Sequence, residues 1–431
     1  MAIIDTVNHS GFFMLKMFLF LVLIVPLLAC TSTQPTGPKA VIQPTIVLIS
    51  IDGVHPSYLD RYPSQHLNAL ADAGVRVSAL KPVFPSKTFP NHYSLVTGLH
   101  PENHGVIDNS MYDPKWDARF SMRMPEEVGN PRWWGGEPIW VTAEKQGQIA
   151  ATYFFPGSEA AIQGVRPSFW FPYDGSIPNR QRVDTVLDWL QLPLNERPRI
   201  ITLYFSDVDS AGHAHGPNSA QVRQAMQNID KEIGYLVAGL AELELLDQVD
   251  LLITSDHGMA EVNQAQHIVI DQAFDPELAS YVRYSRELVS IFPKDGQKEV
   301  IYQQLNTKLP AEGVRLYRKS ELPERFHFQQ HRRIAPIQVL AEVDWILVRR
   351  SWLPGMIDAP TYREPRGSHG YDNEEPSMQG MLIAHGPSFR QQHRIEQLSM
   401  VDLYQVMTTI LGLEAAPHDG DPATIPLLLR D

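Results

Sequence analysis

Hydrophobic residues follow two rhythms along this chain. The stretch Thr45-Ile46-Val47-Leu48-Ile49-Ser50-Ile51-Asp52 is a near-continuous β-branched run, the pattern of a strand buried on both faces. Similar runs recur at Arg199–Phe205, Val249–Ser255 and Met381–Ala384. Between them lie segments of helical period: Ser64–Ala73 closed by Gly74, Ser219–Leu246, and Met400–Leu411 closed by Gly412. Strands alternating with helices predict an α/β domain with a largely parallel central sheet flanked by helices. Residues 260–365 break the rhythm with long helical and alternating stretches and many prolines. They are read as an insertion or cap between two core strands. No internal repeat is evident.

The N-terminal pattern is different. Lys16 precedes an apolar run from Met17 to Leu28, followed by Ala29, Cys30 and a polar stretch. The run is short for a membrane-spanning helix and has the make-up of an export signal. Leu27-Leu28-Ala29-Cys30 also resembles a bacterial lipobox, in which the cysteine is acylated and becomes the new N-terminus. An ordinary signal peptide that happens to contain a cysteine is the alternative, and Met14 is an alternative start. The expected organisation is a signal peptide at 1–29, a tether at 31–43 rich in Thr, Ser, Gln, Pro and Gly, and one folded domain at 44–431 that includes the 260–365 insertion. The expected location is the periplasm, as an outer-membrane lipoprotein that meets the membrane only through that anchor.

Composition narrows the chemistry. Hydrophobic residues make up 43% of the 431 and charged residues 20%, which is ordinary for a globular chain able to bury a large core. The net charge of −13, with no Lys/Arg-rich run, argues against duplex nucleic acid as a partner. An anionic small-molecule substrate would then need local positive charge in the site, and bound metal ions are the obvious source. Cys30 is the single cysteine, which excludes an intramolecular disulfide and a thiolate metal site.

Polar residues gather at the ends of the predicted strands. Asp52 closes the first, Asp207 and Asp209 follow the second, and Asp256-His257 end the third. Ligands of open α/β sheets bind at the carboxyl ends of strands. A loop Asp is usually a turn former, but three strand ends in register make a site. Asp209 and His213 stand four positions apart, and Gly367-Ser368-His369-Gly370 offers a third imidazole. Three Asp and three His without sulfur suit catalytic zinc, and six ligands divide naturally between two ions; manganese or iron would also be accepted. Two such ions and three carboxylates leave a local charge of about +1 for a phosphate, and a two-metal site clamps both oxygens of an in-line displacement. In Phe84-Pro85-Ser86-Lys87-Thr88-Phe89-Pro90-Asn91-His92-Tyr93, Thr88 falls near a predicted helix start. Thr88 or Asn91 there is either a helix cap or, for Thr88, a nucleophile at a phosphate-binding helix N-terminus.

With these residues in view, the sequence resembles the nucleotide pyrophosphatase/phosphodiesterase family of the alkaline phosphatase superfamily, in its bacterial form without the many cysteines and extra domains of vertebrate members. The resemblance runs through Pro85–Gly98, Pro101–Asn109, Asp209–Pro217, Ser255–Met259 and Gly367–Asn373, and spans roughly 45–415. It implies an alkaline-phosphatase-like fold and one zinc held by Asp52, Asp256 and His257 with Thr88 as the activated ligand. The other zinc would be held by Asp209, His213 and His369, with Asp207 set aside. Asn109, with the Thr88 backbone N–H, would bind a nonbridging phosphate oxygen, and Phe89, Tyr173 and Tyr204 would stack a base unless they are simply packed in the core. The implied activity is hydrolysis of phosphodiester and pyrophosphate bonds of nucleotides to nucleoside 5′-monophosphates through a threonyl-phosphate. Rival readings are a choline-type lipid head-group diesterase, a phosphomonoesterase, a phosphonate hydrolase, and a degenerate lipoprotein that only binds. Lys87 is not counted as a cation for a monoester, because consecutive side chains diverge.

Overall fold

The computed structural model describes residues 44–359 and 362–430; the expected signal peptide, Cys30 and the tether lie outside them. Every residue of Thr45–Ile51 is buried, and this run becomes β1, an inner strand of an eight-stranded sheet. The other strands are β2 (Val75–Lys81), β3 (Ala150–Tyr153), β4 (Phe169–Trp170), β5 (Ile200–Phe205), β6 (Val249–Thr254), β7 (Gly380–His385) and β8 (His393–Ser399). Their spatial order is β8-β2-β7-β6-β1-β5-β3-β4. The pleat of β1 sends Ile46 and Leu48 to one face and Val47, Ile49 and Ile51 to the other. The helices covering these faces include α1 (Gln65–Ala73), α2 (Thr88–Thr97), α3 (Asn179–Gln191), α4 (Asp207–His215), α5 (Ala220–Glu242) and α6 (Leu403–Leu411). Leu67 of α1, Val186 of α3 and Met226 of α5 join the core under one face, while Val96 of α2 and Met407 of α6 join the core under the other.

The sheet is parallel except at β7, which runs antiparallel to both β6 and β2. This departs from a uniform strand-then-helix reading, and it matters for the site. Because β7 is reversed, its beginning rather than its end lies at the carboxyl edge of the parallel strands. The chain just before β7, including His369, therefore arrives where β1, β2, β5 and β6 finish. Residues 260–365 also differ from their sequence pattern. The alternating stretches form a four-stranded antiparallel sheet in the order Ala279–Arg283, Leu288–Pro293, Ile337–Ala341, Val314–Arg318, while the expected long helical stretches shrink to Lys298–Lys308 and the short Leu353–Ile357. Ile291, Ile301, Leu305 and Val339 give this sheet a core of its own.

A buried ionic latch joins this segment to the hairpin formed by Ser110–Asp113 and Ala118–Ser121. The Asp113 carboxylate, fully buried, accepts from Arg333 Nε at 2.8 Å and pairs with Arg332 Nη2 at 2.7 Å. Arg333 also donates to the carbonyls of Gly105 at 2.6 Å and Trp133 at 2.9 Å. Burial works against the Asp113 anion, but the two guanidinium groups outweigh it and hold its pKa below the usual carboxylate value. Asp113→Ala strands the Arg333 charge indoors. It is expected to cost about 3–5 kcal/mol, read as a lower urea midpoint with an unchanged slope, whereas Asp113→Asn loses less.

Candidate metal centre

Four chain segments meet at the carboxyl edge. Gly53, directly after β1, has φ +73°, and a Cβ there would lie 3.0 Å from the Cα of Asp209. Glycine thus permits both the turn and the close approach of β1 to α4. On α4, Asp209 and His213 are one turn apart and share a face. Asp256 and His257 follow β6, and His369 precedes β7.

The six side chains fall into two groups. Asp209, His213 and His369 each offer a ligand atom within 4.8 Å of the others, and so do Asp52, Asp256 and His257. The groups adjoin, since the rings of His257 and His369 stack at 3.6 Å. The second group is buried throughout, while the His213 side chain is 44% exposed, so solvent reaches the pair from the α4 side.

Hydrogen bonds fix which atoms are left for a cation. His213 Nδ1 faces the Gly367 carbonyl at 3.0 Å, His369 Nδ1 the Ser86 carbonyl at 2.8 Å and His257 Nδ1 the Gly258 carbonyl at 2.8 Å. A carbonyl only accepts, so each Nδ1 carries the proton and each neutral ring turns its Nε2 lone pair inward. Two such lone pairs, on His213 and His369, face each other at 3.1 Å, and His257 Nε2 lies 3.1 Å from Asp256 Oδ2. These contacts repel unless a cation or a proton sits between them. The carboxylates are arranged alike. Asp52 Oδ2 accepts from the Tyr204 hydroxyl at 2.6 Å and Asp256 Oδ1 from the Gly53 N–H at 3.1 Å. Their other oxygens, Asp52 Oδ1 and Asp256 Oδ2, together with Asp209 Oδ1 and His257 Nε2, are buried without a hydrogen-bond partner. Buried polar atoms of native proteins are rarely left so, and four converging ones have the form of a metal site. The cluster is suited to hold a metal.

The electrostatics agree. Burial, then the charges of Asp256 and Asp209, hold the Asp52 pKa well above the usual carboxylate value. Burial also raises Asp209, against the pull of His213 and His257. Burial acts on Asp256 in the same direction, but His257 and His92 overcome it and leave that carboxyl well below the usual value. Burial lowers His257, yet Asp256 overcomes it and the net shift is upward; His369 is driven well down by burial and by its neighbours His257 and His213. Without a cation, Asp52, Asp209 and His257 are thus biased toward their protonated forms, and Asp256 and His369 away from theirs.

Thr88 is the first residue of α2, so its own N–H has no acceptor within the helix. His92 Nδ1 is 2.8 Å from the Thr88 carbonyl and 3.3 Å from Asp256 Oδ2, and its Nε2 is 2.8 Å from Ser50 Oγ. That ring holds the start of α2 against the buried group. The sequence reading assigned His92 no role; its place four residues after Thr88 on one helix face was the available signal. Asn109 Oδ1 accepts from the Phe89 N–H at 2.8 Å, which fixes the amide's orientation and leaves its NH2 as a donor. Of the aromatic residues, Phe89 packs on Phe120 and Trp134, with ring centroids 5.9 Å away in each case. Tyr173 is 53% exposed and lies 6.2 Å from Tyr204, whose hydroxyl is committed to Asp52. Asp207 turns away, its carboxylate accepting from Asn179. Lys87 Nζ is paired with Glu287 at 2.7 Å.

Comparison with known proteins places this geometry in context. The family model described as type I phosphodiesterase / nucleotide pyrophosphatase matches residues 46–372. Ectonucleotide pyrophosphatase/phosphodiesterase family member 3 of Bos taurus is 36% identical over 421 residues, covering 93% of this chain and 46% of its own. The venom phosphodiesterase CdcPDE of Crotalus durissus collilineatus is 36% identical over 412 residues, covering 93% and 48%. The chain thus spans about half the length of the curated relatives it matches. Among solved structures, an inactive form of murine ectonucleotide pyrophosphatase/phosphodiesterase 5 in complex with AMP superposes with a TM-score of 0.82 at 31% identity, over 90% of this chain and 100% of that one.

Divalent-ion binding and protonation compete for these atoms. Asp52, Asp209 and His257 hold protons above their usual pKa values, so ion affinity is expected to rise with pH through that range. At an ion concentration of 100 times Kd the fold gains about 2.7 kcal/mol, seen as a higher thermal midpoint that chelation reverses. A midpoint indifferent to ions and chelator at neutral pH would contradict the site.

Proposed function

The chain belongs to the type I phosphodiesterase / nucleotide pyrophosphatase family, and on that premise we propose that it hydrolyses phosphodiester and pyrophosphate bonds of nucleotides, with Thr88 as nucleophile and two zinc ions as cofactors. The observation that carries the reading is the pair of facing Asp/His groups, whose buried partnerless atoms converge beside the start of α2. Asp52, Asp256 and His257 would hold one ion, with Thr88 beside it, and Asp209, His213 and His369 the other; manganese or iron would also suit these ligands. When bound, such ions neutralise phosphate charge and make a nearby hydroxyl acidic.

The chain's own groups do the positioning. The Thr88 N–H at the open end of α2 and the Asn109 NH2 are donors for nonbridging phosphate oxygens, where charge builds during transfer. Thr88 Oγ attacks phosphorus in line, the bond to the leaving alcohol or phosphate breaks, and a threonyl-phosphate results. Water then cleaves that ester, releasing a nucleoside 5′-monophosphate and restoring the hydroxyl. Phe89, Tyr173 and Tyr204 are assigned to the base, with the exposed Tyr173 ring the most available face. A monoesterase needs a further cation for the extra phosphate charge, and the candidate nearest in sequence, Lys87, is already neutralised by Glu287. The domain assignment is a metal-dependent hydrolase at 44–431, exported and tethered through Cys30.

The test compares a nitrophenyl thymidine phosphodiester with a nitrophenyl monoester, with and without chelator. The diester is expected to be preferred, chelation to stop turnover, and elemental analysis to give two zinc ions per chain. Thr88→Ala should lower kcat on the order of 10³-fold or more with no change in folding. Preference for the monoester, or full activity without the threonine hydroxyl, would sink the reading. For the anchor, Cys30→Ala should move the protein from the membrane to the soluble fraction on cell fractionation.

A further inference from the structure

Glu287 stands in the segment leading into the strand Leu288–Pro293, far in sequence from the groups described above. Its carboxylate is buried and fully engaged. One oxygen accepts from Lys87 Nζ at 2.7 Å and from Ser285 Oγ at 2.8 Å; the other accepts from Ser368 Oγ. Lys87 Nζ also donates to Ser285 Oγ at 2.8 Å. Lys87 immediately precedes Thr88, and Ser368 immediately precedes His369. We propose that Glu287 is a positioning residue that sets the separation of the nucleophile from the Asp209–His213–His369 group by gripping the neighbour of each.

Three observations support this over a merely structural ion pair. A buried ion pair adds little net stability compared with apolar groups of the same size, so stability alone is a weak reason to keep one. The insertion is already fastened elsewhere, by Asp113 with Arg332 and Arg333 and by Arg283 Nε on the Ser110 carbonyl at 3.0 Å. The grip also continues links between the same two segments. His369 Nδ1 meets the Ser86 carbonyl, Ser86 Oγ donates to the Tyr371 carbonyl at 2.8 Å, and a Cβ on Gly370 would lie 2.6 Å from Lys87 Cε. Segments 86–88 and 368–371 thus form one seam, and Glu287 supplies the charge that closes it. A shift of 1 Å between reacting groups costs roughly 10²-fold in rate, so the seam's geometry bears directly on turnover.

This inference rests on the hydrolase reading above. Its test uses the full chain loaded with zinc and reads diester kcat and KM, zinc affinity by chelator competition, and thermal midpoint. Glu287→Gln is expected to lower kcat by roughly 10²-fold with little change in KM. Ser368→Ala removes one hydroxyl from a folded site and should weaken zinc binding by about 10-fold while lowering kcat. Combining Lys87→Met with Glu287→Gln removes both charges and should recover the thermal midpoint without recovering kcat. Recovery of kcat together with the midpoint would reduce the group to a structural tie and overturn the proposal. So would Ser368→Ala with wild-type zinc affinity and kcat, a result that stands even if Glu287→Gln does not fold. A wild-type protein inert on the diester would instead overturn the hydrolase reading, and the zinc titration would still decide the positioning claim.

Discussion

Three carboxylates kept out of water at one edge of a sheet are the constraint on which the rest of this structure turns. Asp52 and Asp256 are almost wholly buried, and Asp209 is close by, yet no lysine or arginine is paired with any of the three among the described residues. The groups facing them are imidazoles whose protons are already spent on backbone carbonyls. Negative charge buried against lone pairs is not a stable arrangement by itself; it becomes one when divalent cations enter. The backbone is shaped to this end, from the glycine that lets β1 approach α4 to the tyrosine that anchors one oxygen of Asp52 and leaves the other bare.

Strand direction explains how so few segments can supply the whole set. Parallel strands deliver their carboxyl ends to one edge, which accounts for Asp52, Asp209, Asp256 and His257, and for the loop that leads from β2 to Thr88. A further parallel strand would have delivered its residues only after crossing the sheet. The reversed β7 delivers its leading loop instead, so His369 reaches the edge by the shortest route.

Much of this was readable in the sequence, for identifiable reasons. The inner strands declare themselves because burial on both faces demands uninterrupted β-branched residues, as in Thr45–Ile51. The six Asp and His side chains are legible because each follows such a run or adjoins a glycine. What stayed hidden lacks a local signature. β2 is interrupted by Arg76 and Ser78, β3 is four residues long, and the antiparallel pairing of β7 leaves no mark in its own composition. The insertion's alternating stretches hint at strands but not at their pairing, because alternation over five or six residues carries no record of the partner strand. Glu287 and the Tyr204–Asp52 bond depend on contacts between residues 81 to 200 positions apart, which no window along the chain can reveal, while His92 is marked only by its spacing from Thr88.

The insertion also divides the site's contributors along the chain. Asp256 and His257 precede it and His369 follows it, so the Asp209–His213–His369 group is completed only by the chain that returns from the antiparallel sheet to β7. Closing so long a loop costs chain entropy, which grows only slowly with the number of residues between its ends. Residues can therefore be added within the insertion at little further entropic cost, provided its own sheet still returns His369 to the edge.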